Sequence, residues 1–498
     1  MALTALRRLG PQLIHARGIA MSATQTQTQA KREGDISDSF ASLSGTAKEP
    51  LPQRFLELKQ KLTRGHEQAV TDSWKRLLLQ LKIENDIVAR EGFNVVPSIE
   101  FKTLDTDLAV LRNEIKKRGV AVIRGVIPED DARQYKAELE DYINVNPSTK
   151  AFPQTDPQVF ELYWSAPQLK ARAHPNLLKA QTALMSLWHL SNPESDISIS
   201  QPLSYADRLR IRQPGDAKFA LGPHMDGGSV ERWEHNGYGL GNVYDRVFEG
   251  QWEKYDPWDA STRVSAVMDN YNGLGACSMF RMFQGWLSMS RTGPYEGTLQ
   301  VNPLLRLSTS YLLLRPFFQP IKSAKDASYS EFLSDGNWEF CGDKMTSELH
   351  GATPGYGQEL NDALHPHLEL EKAMVHVPQV KPGDFVVWHC DTIHAVDKVH
   401  MGKADSSVLY IPVCPVTENN AKYLKRQREA FVAGTPGPDF PGGQGESQHL
   451  NRCELGFLQR HTDTRGLRAA GFERLVPSDT DPIGSKKVTE KANAILGY

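Results

Sequence analysis

The sequence lacks several features that would place it in a familiar class. Its five cysteines are scattered, and no two of them form a CxxC pair. Neither a disulfide framework nor a zinc knuckle is therefore indicated, and a reducing compartment fits best. No run of about 18 apolar residues occurs, which argues against a membrane-spanning helix. A net charge of −3 predicts no general attraction to nucleic acid or to an anionic membrane.

Nucleotide-binding loops and internal repeats are also missing. Neither GxxxxGK[ST] nor GxGxxG occurs, so the usual glycine-rich phosphate cradles are not indicated. With 40% hydrophobic and 23% charged residues, the composition is that of an ordinary soluble globular protein. A length of 498 residues allows one elaborated domain or two domains.

The first residues differ from the rest. Residues 1–36 include Arg7, Arg8 and Arg17, and no acidic residue precedes Glu33. This composition is typical of a mitochondrial transit peptide, and a disordered basic tail is the alternative. Met21 offers an internal start that would give a cytosolic form. The predicted localisation is therefore mitochondrial or cytoplasmic.

Hydrophobic periodicity divides the remaining chain. Residues 37–104 carry apolar side chains at helical spacing and form a predicted N-terminal helical segment. A helix, a buried strand between Gly119 and Gly125 and a second helix then open the main domain, residues 105–415. Insertions are predicted at residues 229–272 and 325–369. Residues 416–498 are predicted to be a C-terminal helical extension packed on the core.

Two separated stretches supply candidate metal ligands. His224 and Asp226 flank Met225 in a glycine-rich turn, and residues i and i+2 of an extended chain point to the same side. Far downstream, a Pro-Gly-Asp turn at 382–384 leads into an apolar strand and then into His389 and His394. Two histidines and one carboxylate around open positions are the ligand set of non-haem Fe(II) oxygenases. A turn histidine beside a capping aspartate is the alternative, and His389 competes with His394 as distal ligand.

Several other residues are candidates for binding small molecules. Arg208, Arg210 and Arg212 share one face of a predicted strand, where they face either solvent or a carboxylate. Gln284 and Trp286 share a face of a later strand. Residues 229–272 are irregular and rich in tryptophan and tyrosine, as expected of a lid or substrate loop.

The candidate ligands stand within a wider set of motifs that resembles a known superfamily. His224-x-Asp226, Glu296-Gly297-Thr298-Leu299, Gly383-Asp384 and His394 together resemble the Fe(II)/2-oxoglutarate-dependent dioxygenases of the clavaminate synthase-like and phytanoyl-CoA-hydroxylase-like groups. Arg281–Trp286 and Trp388–Val396 resemble a fungal and bacterial family catalogued as a domain of unknown function, over about Leu51 to Tyr498. The resemblance implies a mainly β fold with α-helices: a double-stranded β-helix (jelly-roll, cupin-like) core with helices packed outside.

The resemblance also implies a function and a set of site residues. We expect an Fe(II)- and 2-oxoglutarate-dependent dioxygenase that uses O2 to hydroxylate a small molecule, with no nucleic-acid or membrane partner. His224, Asp226 and His394 would bind the iron. Gln284, Trp286 and Tyr205 would line the substrate pocket.

One departure from the superfamily pattern concerns the cosubstrate. Related dioxygenases carry an arginine some ten or more residues past the distal histidine, where it pairs with the far carboxylate of 2-oxoglutarate. Here that region contains no arginine. Residues of this chain that would hold the carboxylate instead are Lys403, Arg281 and Ser407, with Arg210 and Arg306 as further candidates. Two other readings stay open: a cupin-like metal enzyme that uses no 2-oxo acid, and a non-catalytic binding protein on the same scaffold.

Overall fold

The computed structural model describes residues 36–45, 49–274, 276–440 and 442–498. Apart from Ile36, the predicted transit peptide or tail lies outside the described residues, as does Met21. Among the described helices, none is both long and apolar enough to cross a membrane.

Helices occur from one end of the described chain to the other. In chain order the α-helices are α1 (Arg54–Thr63), α2 (Glu67–Glu91), α3 (Leu104–Arg118), α4 (Glu129–Val145), α5 (Ala166–Arg172), α6 (Pro175–Met185), α7 (Asp245–Phe248), α8 (Leu305–Leu314), α9 (Tyr329–Phe332), α10 (Leu370–Ala373), α11 (Glu418–Ala433), α12 (Leu455–His461), α13 (Thr464–Ala469) and α14 (Ile483–Leu496).

The strands are short and alternate with these helices. They are β1 (Ser98–Glu100), β2 (Val120–Arg124), β3 (Ala151–Phe152), β4 (Val159–Phe160), β5 (Ile197–Leu203), β6 (Leu209–Arg212), β7 (His224–Met225), β8 (Phe283–Ser288), β9 (Leu299–Val301), β10 (Phe318–Pro320), β11 (Trp338–Phe340), β12 (Gln358–Glu359), β13 (Val375–His376), β14 (Phe385–His389), β15 (His394–Val396), β16 (Ser406–Tyr410) and β17 (Cys414–Thr417). Helical residues outnumber strand residues, so the expected mainly β composition is corrected to a mixed α/β fold.

Two large sheets organise the molecule. The larger has the strand order β1-β2-β14-β8-β16-β6-β4-β3, and the smaller has the order β12-β7-β15-β9-β13. The pairs β10–β11 and β5–β17 stand apart. Because side chains alternate between the faces of a strand, each strand presents every second residue to the space between the two large sheets.

The helices pack outside the sheets through stripes of apolar residues. Helix α2 buries Val70, Trp74, Leu77 and Leu81, which recur at the spacing of one helical face. Trp74 stacks on Phe318 with ring centroids 4.4 Å apart. At the other end of the chain, α11 and α14 pack on each other and on the β5–β17 pair.

The Pro-Gly-Asp turn fixes the start of β14. Gly383 has φ +87°, and a Cβ atom there would lie 1.9 Å from the backbone oxygen of Ile127, so only glycine fits. The Asp384 carboxylate accepts hydrogen bonds from the backbone N–H groups of Lys381 (3.0 Å) and Gly125 (2.8 Å). The turn therefore ties β14 to the end of β2, its neighbour in the larger sheet.

Candidate metal centre and cavity

The three candidate ligands meet on the smaller sheet. His224 of β7 and His394 of β15 are direct cross-strand neighbours, and Asp226 lies just beyond the end of β7. The Asp226 carboxylate is 3.8 Å from Nε2 of His224 and 3.7 Å from Nε2 of His394. Ligands that are each about 2.1 Å from one ion cannot be more than about 4.2 Å apart. Both measured distances fall below this limit, so the group fits a metal ion.

Backbone carbonyls orient both imidazole rings. Nδ1 of His224 lies 2.7 Å from the oxygen of Gly222, and Nδ1 of His394 lies 3.1 Å from the oxygen of Thr392. A carbonyl can only accept, so each Nδ1 carries the proton and donates it. The lone pair of each Nε2 is thereby left for a metal, which is the usual arrangement around a ligating histidine.

The electrostatics suit a metal as well. Burial lowers the pKa of His394 to about 3, so this imidazole is neutral at physiological pH. Burial opposes ionisation of Asp226, but His224, His394, Arg281 and Arg232 together hold the pKa of its carboxyl below the usual value. The neutral imidazole of His394 and the ionised carboxylate of Asp226 are in the protonation states that metal binding requires.

His389, the competing distal ligand, lies elsewhere. Its Nε2 donates to the oxygen of Pro257 at 2.9 Å, and its Nδ1 accepts from the backbone N–H of Asp391 at 3.0 Å. The ring stacks on Trp188 with centroids 4.6 Å apart. With both nitrogens engaged and no exposed surface, His389 is a packed core residue and not a partner of His224.

A cavity of about 170 Å³ separates the two large sheets beside the candidate ligands. It is lined by residues of both sheets, so the metal site opens into it. The predicted substrate residues Gln284, Trp286 and Tyr205 all line it, and so does Arg281. The cavity walls are otherwise mostly aromatic or aliphatic, which suits a small organic molecule.

Two predicted cosubstrate residues lie outside this cavity. Lys403 is exposed in the loop before β16. Ser407 points to the far side of β16, because it alternates with Ser406 and Val408, and its hydroxyl donates to Asp405 at 2.5 Å. The further candidate Arg306 donates to the backbone oxygen of Glu253 and does not line the cavity either.

The three arginines on and just before β6 are not solvated. Arg212 is fully buried and pairs with Asp216 at 2.5 Å. Arg208 pairs with Asp207 at 3.2 Å. Arg210 lines the cavity with only 6% of its surface exposed. The solvent alternative for this strand face is therefore wrong, and Arg210 is the member that reaches the site without an acidic partner.

Sequence reasoning missed a residue from the polar N-terminal stretch. Phe40 is buried, lines the cavity and places its ring edge-on to that of His224, with centroids 4.9 Å apart. A lone phenylalanine among serine and glycine residues carries no periodic signal that would have identified it.

The tryptophan- and tyrosine-rich segment 229–272 does not form the cavity wall. Its large aromatic side chains Trp233, Tyr244, Tyr255 and Trp258 are buried in the core, and no residue of this segment lines the cavity. The large aromatic side chains of this segment are therefore packed core residues and not the wall of a substrate cavity.

Comparison with known proteins identifies relatives along most of the chain. A family model described as Gig2-like matches residues 49–472. Uncharacterized protein YbiU of Escherichia coli K12 is 31% identical over 378 residues, which are 73% of this chain and 81% of that protein.

Solved structures extend the similarity to the fold. GlcNAc Inducible Gene 2 (DUF1479) from Candida albicans superposes with a TM-score of 0.80 at 32% identity, over 91% of this chain and 96% of the other. Hypothetical protein JW0805 from Escherichia coli superposes with a TM-score of 0.69 at 29% identity, over 85% and 99%. The chain belongs to the Gig2-like family.

Proposed function

We propose that this protein is a non-haem Fe(II) oxygenase that uses 2-oxoglutarate and O2 to hydroxylate a small molecule. The observation that carries the proposal is the convergence of His224, Asp226 and His394 in the wall of the cavity between the two large sheets. Two imidazoles and one carboxylate leave the remaining positions of an iron ion open for other ligands.

The strand topology supports a double-stranded β-helix as the scaffold. Eight strands pass back and forth between the two large sheets: β6, β8, β14 and β16 lie in the larger sheet, and β7, β9, β13 and β15 lie in the smaller. Along the chain each step of this series changes sheet except the one from β9 to β13, which stays in the smaller sheet together with β12. A jelly roll has this alternation of facing strands. We place this barrel within a domain of residues 105–415, with segments 37–104 and 416–498 packed outside it.

The protein's contribution is to hold ligands and exclude water. When bound, Fe(II) with a 2-oxo acid supplies the O2-activating chemistry. His224 and His394 keep their Nε2 atoms directed at the metal through their Nδ1–carbonyl hydrogen bonds. Trp286 and Trp388 line the opposite wall on the larger sheet and keep it dry, while Gln284 and Tyr205 supply polar groups for orienting a substrate.

We assign the far carboxylate of 2-oxoglutarate to Arg210. Arg210 is the direct cross-strand neighbour of Val408, which lies on β16, the strand that follows the distal histidine. An arginine on the adjacent strand can thus supply the charge that β16 lacks. The Arg210 Nε atom is buried without a hydrogen-bond partner, and its Nη2 atom donates only to the neutral oxygens of Gln158 and Phe219. A buried guanidinium in this state is stabilised by a carboxylate.

The test is an anaerobic titration with Fe(II), with and without 2-oxoglutarate, followed by visible absorption. We expect a charge-transfer band only when both are present. His224→Ala should weaken iron binding by more than about 100-fold, because it removes a direct ligand. His235→Ala, which removes an exposed histidine, is the matched control and should leave the band unchanged.

Other outcomes would redirect the assignment. Tight iron binding without the band would favour a metal enzyme that uses no 2-oxo acid. An equal iron affinity in His224→Ala and His235→Ala would contradict the metal site and leave a binding scaffold.

A further inference from the structure

Two of the three arginines that line the cavity form no ion pair with its acidic groups. Of the arginines that line it, Arg208 is paired with Asp207 and lies 3.7 Å from Glu161. Arg210 and Arg281 have no such partner: neither forms an ion pair with any residue that the structure describes. A guanidinium that lines a cavity and makes no ion pair with the protein is suited to bind an anionic ligand, and this cavity has two of them.

Arg281 is held in place without using its hydrogen-bond donors. Its guanidinium carbon lies 5.7 Å from the centre of the Tyr205 ring, and the Tyr205 hydroxyl is fixed by a 3.0 Å hydrogen bond to Asp439. The Arg281 side chain makes no hydrogen bond to any residue within the described ranges. All five N–H donors of its planar fork are thus available to a ligand.

The pairing of charged groups in the site leaves one of the two arginines for the substrate. In the proposed function, the charges of Fe(II), Asp226 and the chelating carboxylate of 2-oxoglutarate cancel. The far carboxylate of 2-oxoglutarate neutralises one arginine. Asp439, the remaining acid of the cavity wall, accepts hydrogen bonds from Tyr205 and Ser278 and pairs with neither of the two arginines. The guanidinium of the other arginine is therefore left for the remaining ligand of the site, the substrate.

We propose that the substrate of this enzyme is itself a small oxyanion, and that Arg281 binds its negatively charged group. This inference rests on the proposed function, and it names the chemical class on which that function acts. The fork of a guanidinium matches a carboxylate or a phosphate, and both are included in the class. The apolar walls formed by Trp286, Trp388 and Phe40 would contact the body of the molecule.

The positions of the two arginines decide which one takes which ligand. Arg281 lines the cavity just before β8, where its guanidinium lies over the Tyr205 ring, and its positive charge is near enough to interact with the Asp226 carboxylate. Arg210 projects from β6 and is held there by Gln158 and Phe219. A five-carbon diacid that is anchored at the metal needs its second charge some distance away, as Arg210 provides. A substrate that must react next to the metal needs its anchoring positive charge close to the metal, and Arg281 provides that charge.

The first experiment separates the two arginines by their effect on 2-oxoglutarate. Fe(II)-loaded protein is titrated anaerobically with 2-oxoglutarate, and the charge-transfer band gives its affinity. Arg210→Gln should weaken binding between about 10-fold and 100-fold, the range for losing hydrogen bonds between charged groups. Arg281→Gln should weaken binding less than Arg210→Gln does, because it leaves the ion pair of the far carboxylate intact. Arg306→Gln removes the same charge outside the cavity and serves as the control.

The second experiment detects the substrate subsite itself. The protein loaded with Fe(II) and 2-oxoglutarate is titrated with acetate, methylphosphonate or neutral acetamide at constant ionic strength, and the perturbation of the band is followed. We expect at least one oxyanion to perturb the band in the wild type and in Arg306→Gln. In Arg281→Gln, the same perturbation of the band should require an oxyanion concentration at least about 10-fold higher. The acetate and methylphosphonate titrations distinguish a carboxylate substrate from a phosphate-like one.

Three results would overturn the inference. If Arg281→Gln weakens 2-oxoglutarate as much as Arg210→Gln does, both arginines hold one diacid and none is left for the substrate. If the oxyanions act equally on wild type and Arg281→Gln, or do not act on the wild type, Arg281 forms no anion subsite. If the wild type gives no band at all, the proposed function fails, and the inference fails with it. Only the last result touches the proposed function.

Discussion

Asp391, which lies between His389 and His394, is a buried carboxylate with four side-chain partners. Its Oδ1 lies 2.8 Å from Arg232, and its Oδ2 lies 2.5 Å from Arg263. The hydroxyls of Tyr244 and Tyr255 donate to the same carboxylate at 3.1 and 3.2 Å. All four partners belong to residues 229–272. One buried carboxylate therefore anchors the inserted segment to the loop that precedes His394.

Replacing this carboxylate should destabilise the whole fold. Asp391→Asn would leave two buried guanidiniums without a counter-charge, which costs about 3–5 kcal/mol. Urea unfolding measures the loss, and Asp343→Asn, at an exposed aspartate, is the control. A loss below 1 kcal/mol, or one equal to that of the control, would contradict the role of Asp391.

The same residue predicts a pH dependence. Burial opposes ionisation, but Arg263 and Arg232 outweigh it and hold the folded-state pKa of Asp391 far below the usual value of about 3.9. A depressed pKa gives stability that is fully present above about pH 5 and is lost as the pH falls through and below about 3.9. The free energy of unfolding should therefore fall less steeply between pH 5 and 3 in Asp391→Asn than in the wild type. Parallel pH profiles would argue against this linkage.

The residues of the site show what a sequence pattern can reach. The His-x-Asp spacing and the Pro-Gly-Asp turn predicted three side chains that the structure brings together. On β16, Ser406 faces the cavity and Ser407 faces away from it, because neighbouring residues of a strand point to opposite sides. Which of the two faces the cavity depends on the pairing register of the strand, and the sequence alone does not determine that register. Arg210 and Val408 became neighbours only through pairing across almost two hundred residues.

At the level of elements, the sequence carries local signals for long helices and none for the shortest strands. Helices α2, α3 and α11 show a local apolar period, acidic first turns or glycine ends, all of which are visible in sequence. Strands β7, β12 and β13 contain two residues each, too few for any period. Their position depends on pairing with distant strands, which determines where His224 lies.

The junction of α3 and β2 links an element boundary to the metal site. Gly119 ends α3 with φ +68°, and a Cβ atom there would lie 2.7 Å from Oγ1 of Thr392 and 2.9 Å from Cβ of Leu305. The Thr392 hydroxyl donates to the oxygen of Gly119 at 2.9 Å, and its carbonyl accepts from Nδ1 of His394. The helix end thus supports the residue that orients a candidate ligand.

Gly119→Ala should therefore impair both stability and iron binding. Gly125→Ala is the matched control, because Gly125 also has a positive φ (+62°) but has open space around a Cβ atom. We expect about 1–2 kcal/mol of backbone strain in both variants, and a further 1–3 kcal/mol of overpacking in Gly119→Ala alone. Thermal unfolding and Fe(II) titration measure the two effects. Equal behaviour of the variants would show that Thr392 and Leu305 move aside without cost.

At the scale of the whole molecule, chain regions far apart in sequence close the cavity. Residues 36–45 lie against the strand at the edge of the smaller sheet: the backbone N–H of Gly357 donates to Ser39 at 2.9 Å, and Ser42 bonds to Glu359. Glu359 in turn pairs with His224 across β12 and β7. The N-terminal segment is thus attached to the same strand pair that presents a candidate ligand, and its Phe40 covers the ring of that ligand.

This arrangement predicts that Phe40 governs how fast iron leaves the site. Phe40→Ala should accelerate the removal of Fe(II) by an excess of chelator. In the wild type, opening the N-terminal segment exposes the buried Phe40 ring, which costs about 1.5–3 kcal/mol, and the variant opens without this cost. The expected acceleration is about 10-fold to 100-fold. Leu43→Ala is the matched control, since Leu43 belongs to the same segment but is 43% exposed. Stopped-flow absorption gives both rates, and thermal unfolding shows whether either variant is destabilised as a whole. If the two variants release iron equally fast, the segment does not limit access. If Phe40→Ala alone releases iron faster, and its melting temperature stays near that of Leu43→Ala, then local opening at Phe40 controls access to the site. Residues far from the ligands in sequence would then determine how long the metal stays bound.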